Sequence, residues 1–310
     1  MRNYITIDGG TTNTRLSLVR DRKVVRTVKL PFGAKAGIDN RDSYRAAVRD
    51  AISELRGDVG GEGIYRILAS GMITSEFGLC NLPHISAPAG IAELHAGMHE
   101  TVLNDISDIP FVFIPGIRIS GGDLRHTDMM RGEEAELVGL TETPQGGCMY
   151  ILPGSHSKLI TTDSDGRICK FTTMLTGEMI SALAQGTILK DAVDLTQSTA
   201  DSAYLIKGYE YCGANGLNET LFKVRILKNL VGAEADEVYS FFLGAVLFGE
   251  VSKVAAADEN NVIIGGKEQI KKAMCTLLRH VCDKEITEIS KEAVDIAPAM
   301  GVISIFEYDK

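Results

Sequence analysis

The fold is decided near the N-terminus by the segment ITIDGGTTNTRLSLV, residues 5–19. Both of its ends have the alternating apolar pattern of β-strands, and a glycine- and hydroxyl-rich turn joins them. Backbone N–H groups of such a turn can bind phosphate oxygens, and Asp8 at the end of the first strand is a candidate to hold Mg²⁺ through water. An ordinary hairpin explains the same residues without a ligand. A strand pattern follows the turn, which distinguishes it from P-loops and dinucleotide-binding turns, because those open a helix.

A second copy of this arrangement begins at residue 148, where an apolar run leads into PGSHSK, residues 153–158, and then into another alternating stretch. The two turns can be laid over each other from Gly10 and Gly154 onward, and a polar turn follows each at similar distance. An internal duplication is the simplest explanation. It predicts an N-terminal domain of residues 1–143 and a C-terminal domain of residues 144–310. The candidate phosphate-binding residues are Gly10, Thr11, Thr12 and Asn13 in the first turn and Gly154, Ser155, His156, Ser157 and Lys158 in the second.

Apolar spacing predicts the other elements. Predicted strands cover residues 4–7, 15–19, 24–30, 64–69, 148–152 and 261–264. Predicted helices cover residues 42–55, 176–189, 217–230, 236–256 and 267–281, with another beginning near residue 133. The sequence therefore predicts an α/β protein whose second half is rich in helices.

Composition excludes several classes of partner. The chain has 310 residues and a formal net charge of −9, without a basic block, which argues against nucleic acid and anionic membranes. Its longest apolar stretch, residues 238–251, falls short of the roughly 20 residues that cross a bilayer and is interpreted as a buried helix. Six scattered cysteines predict reduced thiols and no zinc site. The N-terminus has no signal-peptide pattern, so a cytoplasmic protein is expected, and a homodimer is left open.

Several motifs together carry a family resemblance. They are Ile7-Asp8-x-Gly10-Thr11-Thr12-Asn13, Gly71-Met72-Ile73-x-Ser75, Pro88-Ala89, Ile114-Pro115-Gly116, Met130-Arg131-Gly132-Glu133-Glu134, Leu152-Pro153-Gly154-Ser155-His156-Ser157-Lys158, Met174-x-Thr176-Gly177-Glu178, Phe222-x-Val224-Arg225, Gly265 and Ala297-x-x-x-Gly301. In order and spacing the chain resembles 2-dehydro-3-deoxygalactonokinases over nearly its whole length. The resemblance implies a two-domain actin-like ATPase (ribonuclease H-like) fold, with a duplicated mixed β-sheet and a nucleotide cleft between the domains.

The candidate catalytic carboxylates are Glu133 and Glu134, at the start of a predicted helix. Acidic residues are favoured in a first helical turn by the helix dipole, which explains either glutamate without a function. Similar Gly-x-Glu-Glu-Ala segments of exopolyphosphatase-like relatives carry a carboxylate that prepares the attacking oxygen. The resemblance therefore implies that Glu133 or Glu134 acts as the base or orients the substrate, with Asp8 and Asp128 as rival bases.

Candidate substrate contacts come from four segments, and they comprise Gly71, Met72, Pro88, Ala89, Arg131, Thr176, Gly177 and Glu178. Free N–H groups at the helix start around Thr176 are placed to receive a substrate carboxylate, although an N-cap threonine explains that residue equally well. Arg131 is expected near the substrate acid or the transferring phosphate.

Further residues of the second half are assigned by position. Lys158 supplies a cation within the second turn, where His156 is expected to position substrate, although a lone lysine is most often solvated. Gly265 and Gly266 follow a predicted strand and let adenine or ribose approach the backbone, as the resemblance implies, whereas a tight strand-to-helix turn explains them locally. Arg225 matches the family pattern alone, and a salt bridge is the alternative.

The resemblance implies transfer of the ATP γ-phosphoryl group, assisted by Mg²⁺, to the terminal hydroxyl of 2-dehydro-3-deoxygalactonate in galactonate catabolism. The chain departs from the family by lacking Trp at Gly9, Leu79 and Leu159, which is expected to alter substrate size or affinity. Alternatives are a kinase for a different epimer, a phosphate hydrolase of the same fold, and a nucleotide-dependent sugar sensor. The sensor is disfavoured because the repressor relatives of sugar kinases usually carry an added N-terminal DNA-binding domain and often a cysteine-rich zinc loop, and this sequence shows neither pattern.

Overall fold

The computed structural model describes residues 2–11, 13–33, 41–59, 63–141, 145–197 and 201–309. The strands are β1 (Asn3–Gly9), β2 (Thr14–Arg20), β3 (Lys23–Leu30), β4 (Arg66–Gly71), β5 (Ile85–Ser86), β6 (His99–Thr101), β7 (Phe111–Phe113), β8 (Ile117–Ser120), β9 (Thr127–Met130), β10 (Cys148–Leu152), β11 (Ser157–Thr162), β12 (Ile168–Met174), β13 (Asn261–Ile264) and β14 (Glu285–Glu288). The helices are α1 (Arg41–Gly57), α2 (Ile91–Ala96), α3 (Glu133–Thr141), α4 (Thr176–Gly186), α5 (Ser202–Asn215), α6 (Leu217–Ile226), α7 (Ala235–Ala255), α8 (Glu268–Val281) and α9 (Lys291–Phe306).

The first sheet confirms the predicted opening hairpins. Its order is β3-β2-β1-β4-β7-β6, with β1 antiparallel to β2 and parallel to β4. Apolar side chains of the central strands pack against α1, whose buried residues are Tyr44, Val48, Ala51, Ile52 and Leu55, the face expected from the sequence. A separate small sheet, β5-β8-β9, was not predicted, because its strands are only two to four residues long.

The second large sheet repeats the pattern of the first. Its order is β12-β11-β10-β13-β14, and β10 is antiparallel to β11 and parallel to β13. In both sheets an antiparallel hairpin is followed by two parallel neighbours, so this order matches β3-β2-β1-β4-β7 strand for strand. This equivalence supports the duplication inferred from the two turns, and it gives the α/β fold with mixed sheets that the sequence predicted.

Helix α7 forms the middle of the second core. Among the described residues it is the one helix long and apolar enough, by length and composition, to cross a membrane, and 67% of its most apolar window is buried inside the protein. It packs closely on α5, where a Cβ added at Gly208 or Gly244 would meet a backbone oxygen of the other helix. The apolar run therefore belongs to a core helix, as the sequence indicated.

Contacts divide the chain into two compact units. Unit 1 contains residues 1–146, 162–171 and 292–310, and unit 2 contains residues 147–161 and 172–291. The C-terminal helix α9 thus groups with unit 1, through packing against α3 that is remote in sequence. The predicted division at residues 143 and 144 stays a prediction, and residues 142–144 lie outside the described part of the chain.

Glycine allows α3 and α9 to pack backbone to backbone. A Cβ added at Gly139 would meet the carbonyl oxygen of Ala297, and one added at Gly301 would meet the carbonyl oxygen of Ala135. Both clashes involve main-chain atoms, so a rotamer change of a side chain cannot relieve them.

We expect Gly139→Ala to lower the free energy of unfolding by about 1–3 kcal/mol, because the added methyl group must separate two packed backbones. The matched control is Gly57→Ala at the end of α1, where a Cβ meets open space. Alanine is favoured over glycine in a helix by roughly 0.5–1 kcal/mol, so the control should be neutral or stabilising. Thermal unfolding followed by circular dichroism measures both variants. Equal midpoints would contradict the assigned packing.

Candidate active site

Turn 1, residues 10–13, follows directly from the central strand β1. The Gly10 N–H donates to the carbonyl oxygen of Asn13 at 2.9 Å, which closes the turn, and Asp8 lies half-buried at the end of β1. Thr11 is half-buried and Asn13 is exposed, whereas Thr12 lies outside the described residues. Turn 1 is thus a tight connection at the strand end, as predicted.

Three glycine backbones converge beside turn 1. A Cβ added at Gly9 would lie 2.7 Å from Ile73 Cβ, and one at Gly71 would lie 2.5 Å from the Gly9 carbonyl oxygen. Gly132 stands directly before α3 with φ +114°, and its added Cβ would lie 3.1 Å from Gly71 Cα. The structure therefore brings together Asp8, the Gly71-Met72 segment and the start of α3, which are far apart in sequence.

A group of carboxylates lies at this junction. Burial raises the pKa of Asp8, and Glu133 raises it further, while Arg15 on the neighbouring strand lowers it. Burial, with Asp8 and Glu133 nearby, raises the pKa of Glu136 to about 8. Arg15 in turn donates to the carbonyl oxygen of Asp295 at 3.0 Å. These three carboxylates therefore share one electrostatic environment in which their negative charges oppose one another.

Glu133 and Glu134 have different environments. Glu133 is half-buried, and its Oε2 accepts from the Arg131 N–H at 3.1 Å. Glu134 is fully buried, and both of its carboxylate oxygens accept from the Gly132 N–H, at 2.8 and 2.9 Å. Burial and the neighbouring Glu133 raise the pKa of Glu134 to about 8. Glu134 thus fixes the residue before α3, while Glu133 interacts with Asp8.

Arg131 is held by the segment that follows β4. Its guanidinium donates to the carbonyl oxygen and the hydroxyl of Thr74, both at 2.6 Å, and to the carbonyl oxygen of Leu82 at 3.0 Å. His84 Nδ1 lies 3.3 Å away, and burial together with the cations Arg131 and Arg118 lowers the pKa of His84. These contacts give Arg131 an anchoring role. Its contact with substrate stays a prediction.

The remaining candidates of unit 1 are more dispersed. Pro88 is exposed, and Ala89 exchanges backbone hydrogen bonds with Ile168, at 3.0 and 2.8 Å. Asp128 lies on β9 of the small sheet, where its Oδ1 accepts from the Met129 N–H at 2.7 Å. Neither contact relates these residues to the carboxylates beside turn 1.

Turn 2, residues 154–157, packs on the start of α4. The Gly154 N–H donates to Ser157 Oγ at 3.3 Å, at the position that matches the closing bond of turn 1. The N–H groups of Gly177 and Glu178 donate to the carbonyl oxygens of Gly154 and Ser155, at 3.1 and 3.2 Å. The expectation of free N–H groups at these two positions is therefore wrong, because turn 2 itself occupies them.

Other predicted residues of unit 2 adjoin turn 2. His156 Nε2 lies 3.0 Å from Glu178 Oε1, and the Gly265 N–H donates to the carbonyl oxygen of Ile151 at 2.9 Å. Gly266 has φ +72°, and an added Cβ there would meet the carbonyl oxygen of Pro153. Lys158 is only 4% exposed, so it is not the solvated lysine of the alternative interpretation. Arg225 lies apart, donating to the carbonyl oxygen of Ile188 at 3.1 Å.

Sequence reasoning missed two carboxylates. In addition, two positions expected to line the ligand cleft are occupied by core leucines. Glu136 follows Glu133 by three residues, a spacing that puts both on one helix face and was available from the sequence. Glu250 interrupts the apolar run of α7, and its carboxylate accepts from the Thr176 hydroxyl. Leu79 and Leu159, where the resemblance implied lost aromatic walls, belong to the two hydrophobic cores.

The carboxylates beside turn 1 suit a Mg²⁺ ion. Within the described ranges no three histidine, cysteine or acidic residues are close enough to chelate a metal directly. Mg²⁺ usually keeps several waters and takes one or two carboxylates together with substrate phosphates, so a closed protein site is not required. Burial is the main cause of the raised pKa of Asp8; Arg15 lowers this pKa and Glu133 raises it. A divalent cation would relieve the cost of holding this buried carboxyl in its charged form.

Comparisons with known proteins agree on one family. A family model for 2-keto-3-deoxy-galactonokinase matches residues 8–298. A probable 2-dehydro-3-deoxygalactonokinase of Rhizobium meliloti (strain 1021) is 29% identical over 263 residues, covering 82% of this chain and 80% of the relative. The 2-dehydro-3-deoxygalactonokinase of Escherichia coli (strain K12) is 27% identical over 258 residues, covering 81% and 80%.

Solved structures support the fold. A protein of Sinorhizobium meliloti assigned as a 2-dehydro-3-deoxygalactonokinase matches with a TM-score of 0.75 and 24% identity, covering 99% of both chains. An activator of 2-hydroxyisocaproyl-CoA dehydratase from Clostridium difficile matches with a TM-score of 0.53 and 12% identity, covering 99% and 96%. The fold is the two-domain actin-like ATPase fold, as predicted. With the family model matched over residues 8–298, this chain belongs to the 2-keto-3-deoxy-galactonokinase family.

Proposed function

We propose that this chain transfers the γ-phosphoryl group of ATP to the terminal (6-) hydroxyl of 2-dehydro-3-deoxy-D-galactonate, giving the 6-phosphate and ADP in galactonate catabolism. Family membership supports the kinase activity and the sugar acid. The observation that carries the proposal is the convergence of glycine backbones beside turn 1, which puts Asp8 and Glu133 within electrostatic range of each other. Under this proposal the protein works in the cytoplasm on two small molecules.

The proposed chemistry uses Glu133 as the base. Its carboxylate accepts the proton of the terminal hydroxyl while the hydroxyl oxygen bonds to the γ-phosphorus and the bond from that phosphorus to ADP breaks. Of the two glutamates, Glu133 is half-buried and lies in the field of Asp8, whereas Glu134 is fully buried and bonded to the Gly132 N–H. Glu134 then acts by fixing the start of α3, which positions Glu133.

Asp8 is the residue that would hold Mg²⁺, through water. When bound, Mg²⁺ neutralises the charge that develops on the transferring phosphoryl group. Backbone N–H groups of turn 1 and turn 2 are the proposed donors to the ATP phosphates, and Gly265-Gly266 is the proposed approach for the nucleoside. The substrate contacts proposed for Gly71, Met72, Pro88, Ala89 and Arg131 rest on the family motifs, whereas Thr176, Gly177 and Glu178 are occupied by Glu250 and turn 2.

ADP release tests the activity directly. Purified protein with Mg²⁺-ATP is expected to release ADP when 2-dehydro-3-deoxygalactonate is added, and little without an acceptor or with simple hexoses. The gluconate-derived epimer is the matched control, because it differs in one hydroxyl orientation and a site that bonds that hydroxyl rejects it. Release without any acceptor would contradict the kinase in favour of a hydrolase, and equal turnover of both epimers would contradict the assigned sugar.

Glu133→Gln is expected to lower kcat by about 100-fold or more, the usual contribution of a general base, while ATP affinity changes little. Glu134→Gln is the matched variant one residue away. It removes a carboxylate that is fully buried and bonded to the Gly132 N–H, so we expect a loss of about 10-fold or less. Steady-state kinetics and ATP binding measure both. A larger loss in the Glu134 variant would contradict the assignment of the base.

Stability should depend on the ionisation of Glu134. Its folded pKa of about 8 lies above the ordinary glutamate pKa of 4.5, so the folded protein holds a proton that the unfolded chain releases between these pH values. Because the folded state binds more protons, unfolding becomes easier as pH rises from about 5 to 8, by at most about 1.4 kcal/mol per pH unit. Glu134→Gln should remove this part of the slope. Urea unfolding measures the free energy of unfolding of both proteins across this pH range. An equal pH dependence in the two proteins would contradict the raised pKa.

A further inference from the structure

Glu250 is a buried carboxyl in the middle of the most apolar helix. It lies on α7, where it is 2% exposed and its neighbours on the helix include the core residues Val251 and Val254. Burying an ionised carboxylate costs several kcal/mol, so such a residue persists where its hydrogen bonds serve a purpose. Proposed catalysis at turn 1 makes no use of this group.

The hydroxyls of Thr176, at the start of α4, and Ser157, the last residue of turn 2, lie beside the Glu250 carboxyl. Thr176 Oγ1 donates to Glu250 Oε2 at 2.5 Å, and the Ser157 hydroxyl also interacts with the carboxyl. Both hydroxyl residues are buried, with Thr176 4% and Ser157 0% exposed. Within the described part of the chain, Glu250 Oε1 has no hydrogen-bond partner. The carboxyl therefore bonds α7 to the first residue of α4, beside the last residue of turn 2.

Main-chain hydrogen bonds also join turn 2 to the start of α4. The N–H groups of Gly177 and Glu178 donate to the carbonyl oxygens of Gly154 and Ser155. Ser157 Oγ accepts from the Gly154 N–H at 3.3 Å. Turn 2 and the start of α4 thus form one bonded block, and Glu250 attaches that block to the central helix of unit 2.

We propose that Glu250 is a positioning residue, which holds the Thr176 hydroxyl at the start of α4 so that the attached turn 2 keeps one conformation for binding the phosphates of ATP. This inference rests on the proposed function, because it takes turn 2 as a phosphate-binding turn. A turn fixed before the ligand arrives binds it more tightly, because less conformational entropy is lost on binding.

The surroundings of the Glu250 carboxyl favour its neutral form. Burial raises the pKa of Glu250, although the hydroxyls of Thr176 and Ser157 lower it in part. An ionised carboxyl at this place would be a buried charge whose Oε1 has no hydrogen-bond donor among the described residues. A negative charge beneath the turn would also repel the phosphates that the turn is proposed to bind.

Nucleotide binding by four variants tests the proposal. The variants are Glu250→Leu, Glu250→Gln, Thr176→Val and the control Ser240→Ala, which removes another buried hydroxyl of α7, one that bonds the Asp201 N–H. We expect Glu250→Leu to raise the Kd for Mg²⁺-ATP at least 10-fold, because the turn loses its attachment. Glu250→Gln should stay within about 2-fold of the native Kd, since the amide can bond both hydroxyls without charge. Ser240→Ala should leave the Kd unchanged.

Calorimetric titration with Mg²⁺-ATP, in the absence of sugar acid, gives each Kd, and thermal unfolding reports stability in parallel. Glu250→Leu with a native Kd would overturn the proposal, as would equal weakening by the Leu and Gln variants. If Glu250→Leu does not fold, Thr176→Val decides, because the proposal requires it to weaken ATP binding as well. A purely structural role would lower stability in the variants and leave the Kd unchanged. If ATP binds but no ADP is released with the sugar acid, the proposed function is contradicted and this inference is unaffected.

Discussion

Close approach of three glycine backbones, at Gly9, Gly71 and Gly132, is the constraint on which the candidate site of unit 1 depends. Parallel pairing of β1 with β4 brings Gly9 beside Gly71, and a positive φ at Gly132 turns the chain into α3 directly against them. A Cβ at Gly9 would meet Ile73, one at Gly71 would meet the Gly9 carbonyl oxygen, and one at Gly132 would press on Gly71 Cα. The distance of Glu133 from Asp8 is therefore set by backbone packing, before any ligand is considered.

The two units surround their glycine- and hydroxyl-rich turns with different side chains. Unit 1 gathers Asp8, Glu133 and Glu136 beside turn 1, and their mutual repulsion adds to the cost of burial. Such a concentration of like charge is destabilising by itself and is typical of sites that bind cations or transfer protons. Unit 2 surrounds turn 2 with hydroxyl groups, glycine and one buried carboxyl. The order β12-β11-β10-β13-β14 nevertheless matches β3-β2-β1-β4-β7, which supports a duplicated scaffold, while the side chains around the two turns differ.

Local patterns allowed much of the scaffold to be predicted. The alternation in residues 15–19 and 24–30 gave β2 and β3, and the apolar face of residues 42–55 gave α1, which buries that face on the core. β14 was missed because its side chains are mostly exposed, and the association of α9 with unit 1 depends on contacts remote in sequence. Individual site residues needed three-dimensional information. Sequence placed Glu133 and Glu134 together, whereas one residue of helical rotation buries Glu134 and leaves Glu133 beside Asp8.

The identity of the reaction product distinguishes phosphoryl transfer to the terminal hydroxyl from hydrolysis and from transfer to another hydroxyl. Protein incubated with Mg²⁺-ATP and 2-dehydro-3-deoxygalactonate is followed by proton-coupled ³¹P NMR. We expect a new phosphomonoester whose phosphorus couples to the methylene protons of the terminal carbon. It should form at the same rate as ADP. Inorganic phosphate as the sole new signal, or an ester coupled to a ring or chain methine proton, would contradict phosphoryl transfer to the terminal hydroxyl.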